Sequence, residues 1–509
     1  MSHFILYYLN TSTKSSLDDI VVEDDVAYIR NQLLVTAYLG TDKAVIEKLV
    51  SEMDAEIVGY MKLINTFQIE FREEKSYEEL NRIADYLLGF SYIFDASLNF
   101  AAGETEPSYN PNDTIYLDGY SYEFNWVDLN GDKEKDDNEW VLSTSATGEH
   151  WNTQQPSGEN WGLEALNLPE AWDYISQFLR TDKIKIGIYD DMFGDNPDLV
   201  DVYAKKYKNP VNITQSHGTH VTGILGANFD NGIGITGVSV NPEIYGYSVA
   251  EGMVDVYDIM EAYVSMVADG AQCLNVSYGY DDHISFAATM GNKRARKMIH
   301  NNAERVSSIL KMLLMQGYDF VIVNSAGNGN DKVYVEDMDK YYDYVIYDPA
   351  ESKYAGKRTY TGGNDPYYNY YLSAITDELV RSRIIVVGSV GNVFSPGQNL
   401  CQVSEFSNQG FTVDTYAPGE DIISTVPVSL EQCAYRTMSG TSMAAPHITG
   451  LAALIWQANP NLSGAEVKQI ILESEGLPVV DKNQNQLTCF SKKYYLPDAK
   501  QCIEEALKA

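Results

Sequence analysis

The chain has 509 residues, of which 44% are hydrophobic, so it is long enough to bury cores in two or three domains. Its 72 acidic residues against 36 basic ones give a formal net charge of −36, which repels nucleic acids and anionic membranes and attracts cations. No apolar run reaches the length of a membrane-spanning helix. The composition therefore favours a globular protein without a nucleic-acid partner or a membrane span.

Residues 1–30 are predicted to be an extra N-terminal segment. Its apolar run at 3–9 lacks a basic region and a small-residue cleavage site, so it does not match a signal peptide and looks more like a strand. The protein is therefore expected either to be secreted or held at the cell surface after removal of a signal peptide, or to be intracellular.

Residues 1–96 are predicted to form a small α+β domain. Alternating apolar residues predict strands, and two segments have the spacing of amphipathic helices. The order β-α-β-β-α-β is that of a ferredoxin-like split unit. The predicted elements are a strand at 33–37, a helix capped by Thr41, strands at 57–60 and 67–71, a helix opened by a capping box at 76–79, and a strand at 92–94.

Residues 97–160 are predicted to form a linker rich in Asn, Pro, Gly and acidic residues. Oxygen-bearing side chains stand at positions 1, 3, 5, 7, 9 and 12 of a twelve-residue stretch, as in a calcium loop. Position 6 is Lys133 where a glycine is expected, so a calcium loop and a solvated acidic loop both remain open. The candidate ligands are Asp128, Asn130, Asp132, Glu134, Asp136 and Glu139.

Four polar residues stand at the ends of predicted buried elements between residues 161 and 509. Asp190 ends an alternating strand, and His217 opens a helix of small residues. Asn328 follows an apolar strand, and Ser442 opens an apolar helix. A helix N-terminus offers free N–H groups and a partial positive charge, which favour an oxyanion. The pattern predicts a nucleophilic serine, a base, an orienting acid and an amide donor.

These motifs together resemble the subtilisin-like serine proteases (subtilases), whose known chain order of catalytic residues is Asp, His, Ser. The resemblance covers roughly residues 161–509 and implies an α/β fold with a doubly wound, mainly parallel sheet. It implies a serine endopeptidase that acts on peptides or proteins through an acyl-enzyme. Further matching segments are Trp161–Trp172, Asn196–Leu199, Leu274–Gly279, Tyr416–Gly419 and Asn459–Ser463.

The resemblance also implies a role for each site residue. Asp190 would orient His217, which would take the proton of Ser442, while Asn328 and the Ser442 N–H would hold the oxyanion. The residues expected at the substrate are Ser277, Gly279 and Gly327. A second calcium candidate is the loop at 228–232, where subtilases often hold a structural ion.

Two positions depart from the family pattern after the catalytic acid. Met192 stands where a glycine is usual, and Asn196 stands where a histidine is usual. Asp191 is the rival of Asp190 for the orienting role and is expected to cap or neighbour the site. Asp190 is preferred because its place in the motif matches.

The N-terminal domain resembles the subtilase propeptide, a folding chaperone and inhibitor whose tail lies in the active-site cleft. The resemblance implies a zymogen that removes its own propeptide; a permanent accessory domain is the alternative. Two other functions stay open for the whole chain: a processing protease dedicated to one peptide, and a degenerate scaffold without activity.

Two features stay ambiguous. Cys401 with Cys433 and Cys489 with Cys502 are possible disulfides by proximity in sequence, and five free thiols are the alternative. The acidic, Tyr-rich segment 330–380 is predicted to be an insertion, either at the rim of the cleft or as a surface excursion.

Overall fold

The structure of the protein is a computed structural model. The predicted calcium loop at 128–139 lies outside the residues it describes, as do residues 230–232 of the second candidate loop. The described residues are 20–23, 26–62, 64–73, 75–102, 124–126, 140–142, 161–176, 183–229, 234–249, 254–279, 293–328, 341–348, 353–361, 370–391, 400–410, 412–430, 434–489 and 492–508.

The N-terminal unit contains the predicted β-α-β-β-α-β order, preceded by one further strand that was not predicted and that lies within residues 1–30. Its elements are β1 Ile20–Glu23, β2 Val26–Ala37, α1 Lys43–Glu52, β3 Ala55–Met61, β4 Thr66–Phe71, α2 Tyr77–Leu87 and β5 Ile93–Ala102. The strands pair antiparallel in the order β5-β2-β4-β3, and β1 pairs with β2. The last strand, β5, ends at Ala102, six residues after the predicted end of the domain at residue 96. The domain boundary stays a prediction.

Local capping begins both helices of this unit. The predicted capping box at α2 is confirmed, because Ser76 N donates to Glu79 Oε2 at 2.9 Å and Glu79 N donates to Ser76 Oγ at 3.3 Å. The predicted cap of α1 is wrong by one residue. Asp42, not Thr41, is the last residue before the helix, and its Oδ1 accepts from Ala44 N at 3.0 Å.

The C-terminal unit contains the remaining elements, preceded by a small antiparallel pair of β6 Phe124–Trp126 and β7 Trp140–Leu142. The helices are α3 Trp161–Ala165, α4 Leu168–Ser176, α5 His217–Gly226, α6 Val256–Ala268, α7 Lys293–Met315, α8 Tyr370–Ser373, α9 Glu378–Arg381, α10 Thr441–Ala458, α11 Gly464–Glu473 and α12 Ala499–Lys508. The strands are β8 Lys185–Asp190, β9 Tyr203–Tyr207, β10 Glu243–Ser248, β11 Val254–Asp255, β12 Cys273–Val276, β13 Val321–Ser325, β14 Tyr341–Asp348, β15 Lys353–Thr361, β16 Ile384–Gly391, β17 Cys401–Val403, β18 Thr415–Pro418, β19 Ile422–Thr425, β20 Tyr435–Met438, β21 Val479–Val480, β22 Thr488–Cys489 and β23 Lys492–Lys493.

One large sheet organises this unit and confirms the predicted α/β fold. Its path is β21-β17-β16-β13-β12-β8-β10-β9, with β18 beside β16. All the pairings are parallel except that of β16 with β17. The strands are short and rich in Ile and Val because parallel strands are buried on both faces. Helix α10 is buried almost throughout and contacts β12, β13, β16 and α5.

The register of the central strands brings their carboxyl ends to one edge of the sheet. Val276 of β12 lies opposite Tyr189 of β8 and opposite Asn324 of β13. The residues that follow each strand therefore meet at this edge, which is where open α/β sheets bind ligands.

The two units are joined by a strand pairing and by ion pairs. Ala101 and Ala102 of β5 pair antiparallel with Asp255 and Val254 of β11. Arg305 of α7 is buried, and its Nε donates to Asp95 Oδ2 at 2.7 Å. The guanidinium of Arg294 lies 4.4 Å from the ring centroid of Tyr77. These contacts fix the N-terminal unit on α6 and α7 of the larger one.

The possible disulfides are absent among the described residues. Cys273, Cys401, Cys489 and Cys502 are free thiols, so neither Cys401–Cys433 nor Cys489–Cys502 forms. Cys433 itself lies outside the described residues. In the part of the chain that the structure describes, no helix is both long and apolar enough to cross a membrane.

Two buried histidines make the free energy of unfolding depend on pH. Burial lowers the pKa of His220 to about 3 and that of His447 to about 4, so both rings are neutral in the fold. An unfolded histidine takes up a proton near pH 6.5, roughly. Each ring therefore contributes stability that is present above pH ~6.5 and is lost as the pH falls toward the folded pKa.

We expect His447→Gln to weaken this pH dependence. Between pH ~6.5 and ~4, the wild-type free energy of unfolding should fall more steeply than that of the variant, by roughly 1.4 kcal/mol per pH unit. Denaturant titrations across this range measure the difference. His300→Gln, at an exposed position of α7, is the matched control and should keep the wild-type slope. Equal slopes for His447→Gln and wild type would contradict the assignment.

Candidate active site

Asp190 and His217 are in direct contact at the carboxyl edge of the large sheet. Asp190 is the last residue of β8 and is fully buried, while His217 is the first residue of α5 and its side chain is 25% exposed. Asp190 Oδ1 lies 2.6 Å from His217 Nδ1 and also accepts from Asp191 N at 2.9 Å. A buried carboxylate at Nδ1 favours the tautomer whose proton is on Nδ1, and in that tautomer Nε2 carries no proton and can act as a base.

Asp191 caps the helix that carries His217. The residue before that helix, Ser216, makes no capping bond of its own. Instead, Asp191 Oδ2 accepts from His217 N at 3.2 Å and Asp191 Oδ1 accepts from Gly218 N at 2.6 Å. Both acids therefore contact His217. Asp190 contacts its imidazole ring, and Asp191 accepts from its backbone N–H.

Met192 fits the turn after the acids without a glycine. Its backbone stays outside the left-handed region, and its N–H donates to Asp191 Oδ1. The side chain is buried, with its sulfur 3.4 Å from Thr214 N. The glycine that this turn needs is Gly218 of α5, which lies against it. A Cβ at Gly218 would stand only 2.7 Å from the backbone oxygen of Met192. Asn196, which stands where a histidine is usual, also fits its surroundings, because its Nδ2 donates to Val426 O at 2.9 Å.

Asn328 holds the start of the helix that carries Ser442. Its Oδ1 accepts from Thr441 N at 2.8 Å and from Thr441 Oγ1 at 3.0 Å. Its Nδ2 lies beside Gly440, where an added Cβ would stand 3.3 Å from it. Because the oxygen is engaged by the helix, the NH2 group is the part of Asn328 that remains to donate near the N-terminus of α10.

The expected substrate-binding residues lie at the same edge. Gly327 has φ +94°, a conformation that favours glycine, and its N–H donates to Thr441 Oγ1 at 3.1 Å. Gly279 is buried just beyond β12. The hydroxyl of Ser277 points to another residue of the chain, since Ser277 Oγ lies 3.3 Å from the carbonyl oxygen of Ser442. Contact of these three residues with a substrate stays a prediction.

Sequence reasoning missed several residues that shape this edge. Asn324 Nδ2 donates to Val276 O at 2.9 Å and to Tyr278 O at 2.8 Å, which fixes the segment after β12. Ser248, at the end of β10, donates its hydroxyl to the backbone carbonyl of Asp191. The available signal was that both polar residues lie in the last two positions of buried strands, close to the recognised motifs.

No calcium centre emerges from the described residues. One group of three acidic or histidine side chains there is close enough to share an ion, namely Asp190, Asp191 and His217. Asp190 Oδ1 and both Asp191 oxygens already accept N–H groups, so this group fits hydrogen bonding better than a cation. Calcium binding by the loop at 128–139 stays a prediction.

Comparison with known proteins gives a family match over most of the C-terminal unit. The family model described as the subtilase family matches residues 181–492, which is more than half of the chain. A thermophilic serine proteinase from Bacillus sp. strain AK1 is 28% identical over 284 residues, covering 54% of this chain and 52% of that protein. Subtilisin-like protease 1 from Plasmodium falciparum is 26% identical over 290 residues, covering 57% of this chain and 34% of that protein. The matched region thus spans about half and a third of these relatives.

A solved structure supports the fold. Fervidolysin from Fervidobacterium pennivorans, a keratinolytic enzyme related to subtilisin, superposes with a TM-score of 0.58 and 18% identity. The match covers 98% of this chain and 64% of that one. At this identity the likeness concerns the fold alone.

Asp191 gives the site a pH-dependent stability of its own. Burial, followed by the neighbouring Asp190 charge, raises the pKa of Asp191 to about 7, and this outweighs the opposing effects of His217 and the N–H donors. An unfolded aspartate releases its proton near pH 3.9, roughly. The folded state therefore loses stability through this group as the pH rises from ~4 to ~7.

We expect Asp191→Asn to remove that loss. The free energy of unfolding of the variant, relative to wild type, should increase between pH ~4 and ~7, by something on the order of a few kcal/mol. Chemical denaturation at both ends of the range measures it. Asp201→Asn, at an exposed position, should show no such trend. A pH-independent difference for Asp191→Asn would mean that this carboxyl titrates normally.

Proposed function

The chain belongs to the subtilase family, and from that premise we propose that it is a serine endopeptidase, made as a zymogen, with Asp190, His217 and Ser442 as its catalytic triad. The observation that carries the proposal is the 2.6 Å contact between Asp190 Oδ1 and His217 Nδ1. It lies at the edge of the sheet where Asn328 also meets the N-terminus of the helix of Ser442.

The proposed reaction begins at Ser442. His217 Nε2 takes the proton of Ser442 Oγ as the oxygen attacks the peptide carbonyl carbon, and Asp190 stabilises the imidazolium that forms. The oxyanion accepts from Asn328 Nδ2 and from the N–H of Ser442 at the helix N-terminus. The amine leaves with the proton from His217, and water then releases the acyl group by the same steps in reverse order.

The N-terminal unit is proposed to be the propeptide. Its last strand ends at Ala102 and pairs there with β11, immediately before α6 of the larger unit. A single added strand pairing and the Arg305–Asp95 ion pair can hold a segment in place before cleavage. The bond that is cut is proposed to lie within 90–160, and secretion or display at the cell surface is the favoured location.

We expect wild-type protein to cut itself and Ser442→Ala to stay whole. Without the serine oxygen no acyl-enzyme can form, and loss of a triad serine costs on the order of 10⁶ in rate. Intact-mass spectrometry of both purified proteins over time measures the cut. If both stay whole, labelling by a serine-reactive fluorophosphonate separates the alternatives. A labelled wild type means a permanent N-terminal domain, and an unlabelled one means a scaffold without activity.

The oxyanion role of Asn328 has its own test. Asn328→Ala should lower kcat on a peptide substrate by roughly 10²–10³, the known cost of losing one oxyanion donor. Because Asn328 Oδ1 also holds Thr441, the matched variant is Asn328→Asp, which keeps an oxygen acceptor and loses the NH2 donor. Both variants should be slow with little change in KM. Full turnover in either one would remove Asn328 from the oxyanion hole.

A further inference from the structure

The helix that carries Ser442 has a missing hydrogen bond in its first turn. In an α-helix the carbonyl of residue i accepts from the N–H of residue i+4. The residue four positions after Ser442 is Pro446, which lies inside α10 and has no N–H. The carbonyl oxygen of Ser442 is therefore left without its helical donor.

Ser277 supplies a donor to this carbonyl from another element. Its side chain is buried at the end of β12, and its Oγ lies 3.3 Å from Ser442 O. Asn275 Nδ2 in turn donates to Ser277 Oγ at 3.1 Å. With its lone pair engaged by Asn275, the hydroxyl of Ser277 directs its proton to Ser442 O.

Asn275 also contacts α10 directly, through Thr449. Thr449 Oγ1 of α10 lies 2.9 Å from Asn275 Oδ1 and 3.0 Å from Ala445 O. Asn275 and Thr449 are fully buried. The sheet is thus bonded to α10 at Ser442 and again at Thr449, two turns along, and the orientation of Asn275 is set by both contacts.

We propose that Ser277 is a positioning residue that sets the orientation of Ser442 through its carbonyl, with Asn275 and Thr449 holding Ser277 in place. The inference rests on the proposed function, since it concerns the nucleophile of that reaction. The peptide plane after Ser442 is fixed at one end by its carbonyl. A rotation of that plane moves the Cβ and Oγ of Ser442 relative to His217, and small misplacements of reacting groups cost much of the rate.

The first test is Ser277→Ala. Loss of the hydroxyl should lower kcat on a peptide substrate about tenfold, the rate equivalent of one hydrogen bond, and leave KM within about twofold. Ser239→Ala is the control, because it likewise removes the hydroxyl of a buried serine and lies outside the site. It should retain the wild-type kcat. A wild type without activity would refute the proposed function, whereas an active wild type with an equally active Ser277→Ala would refute only this inference.

The second test restores the missing donor. In the double variant Ser277→Ala with Pro446→Ala, residue 446 regains an N–H that can bond Ser442 O along the helix. We expect kcat to recover to within about threefold of wild type. If kcat does not recover, Ser277 does not act through this carbonyl, and the proposal is wrong.

A third variant, Thr449→Val, decides the question if Ser277→Ala does not fold. It removes the hydroxyl that contacts Asn275 Oδ1 and should lower kcat about threefold. An unchanged kcat would overturn the proposal.

Discussion

The parallel register of β8, β12 and β13 is the constraint on which the site depends. Because the three strands end at the same edge, the residues after them are brought together although they are far apart in the sequence. The helices that begin at His217 and Thr441 start at this edge as well, and α5 packs against α10. A one-residue slip in any of these pairings would turn Asp190 or Ser277 away from their partners.

Buried hydrogen bonds then fix what the register brings close. Each helix is held at its N-terminus by a side chain from another element, α5 by Asp191 and α10 by Asn328. A buried polar group that loses its partner costs more free energy than the bond itself provides, so such contacts define one arrangement strongly. These contacts fix the positions of both helix N-termini before any substrate binds, which is the arrangement that the proposed oxyanion hole needs.

The sequence allowed much of the fold and of the site to be predicted. Asp190, His217, Asn328 and Ser442 stand in motifs whose local pattern already implies a strand end or a helix start, and the strands before Asp191 and Asn328 lie where these motifs predict them. The cap of α1 was misplaced because Thr41 and Asp42 are both good capping residues, and the choice depends on where the helix turn closes.

The contacts that could not be predicted join residues distant along the chain. The bond from Ser277 to the carbonyl of Ser442 spans 165 positions, and nothing in the local pattern of either segment indicates it. The proximity of Cys489 and Cys502 in the sequence suggested a disulfide, yet both are free thiols. Such outcomes depend on tertiary packing, which short-range patterns do not contain.

The central claim is that Ser442 is a nucleophile activated by His217. The most direct measurement is to treat the purified 509-residue chain with a fluorophosphonate and to locate the adduct by peptide mass spectrometry. The account predicts one adduct, on Ser442 in the tryptic peptide Thr437–Lys468, which is lost in His217→Ala. An adduct on another residue, or labelling of Ser442 that survives the loss of His217, would contradict it.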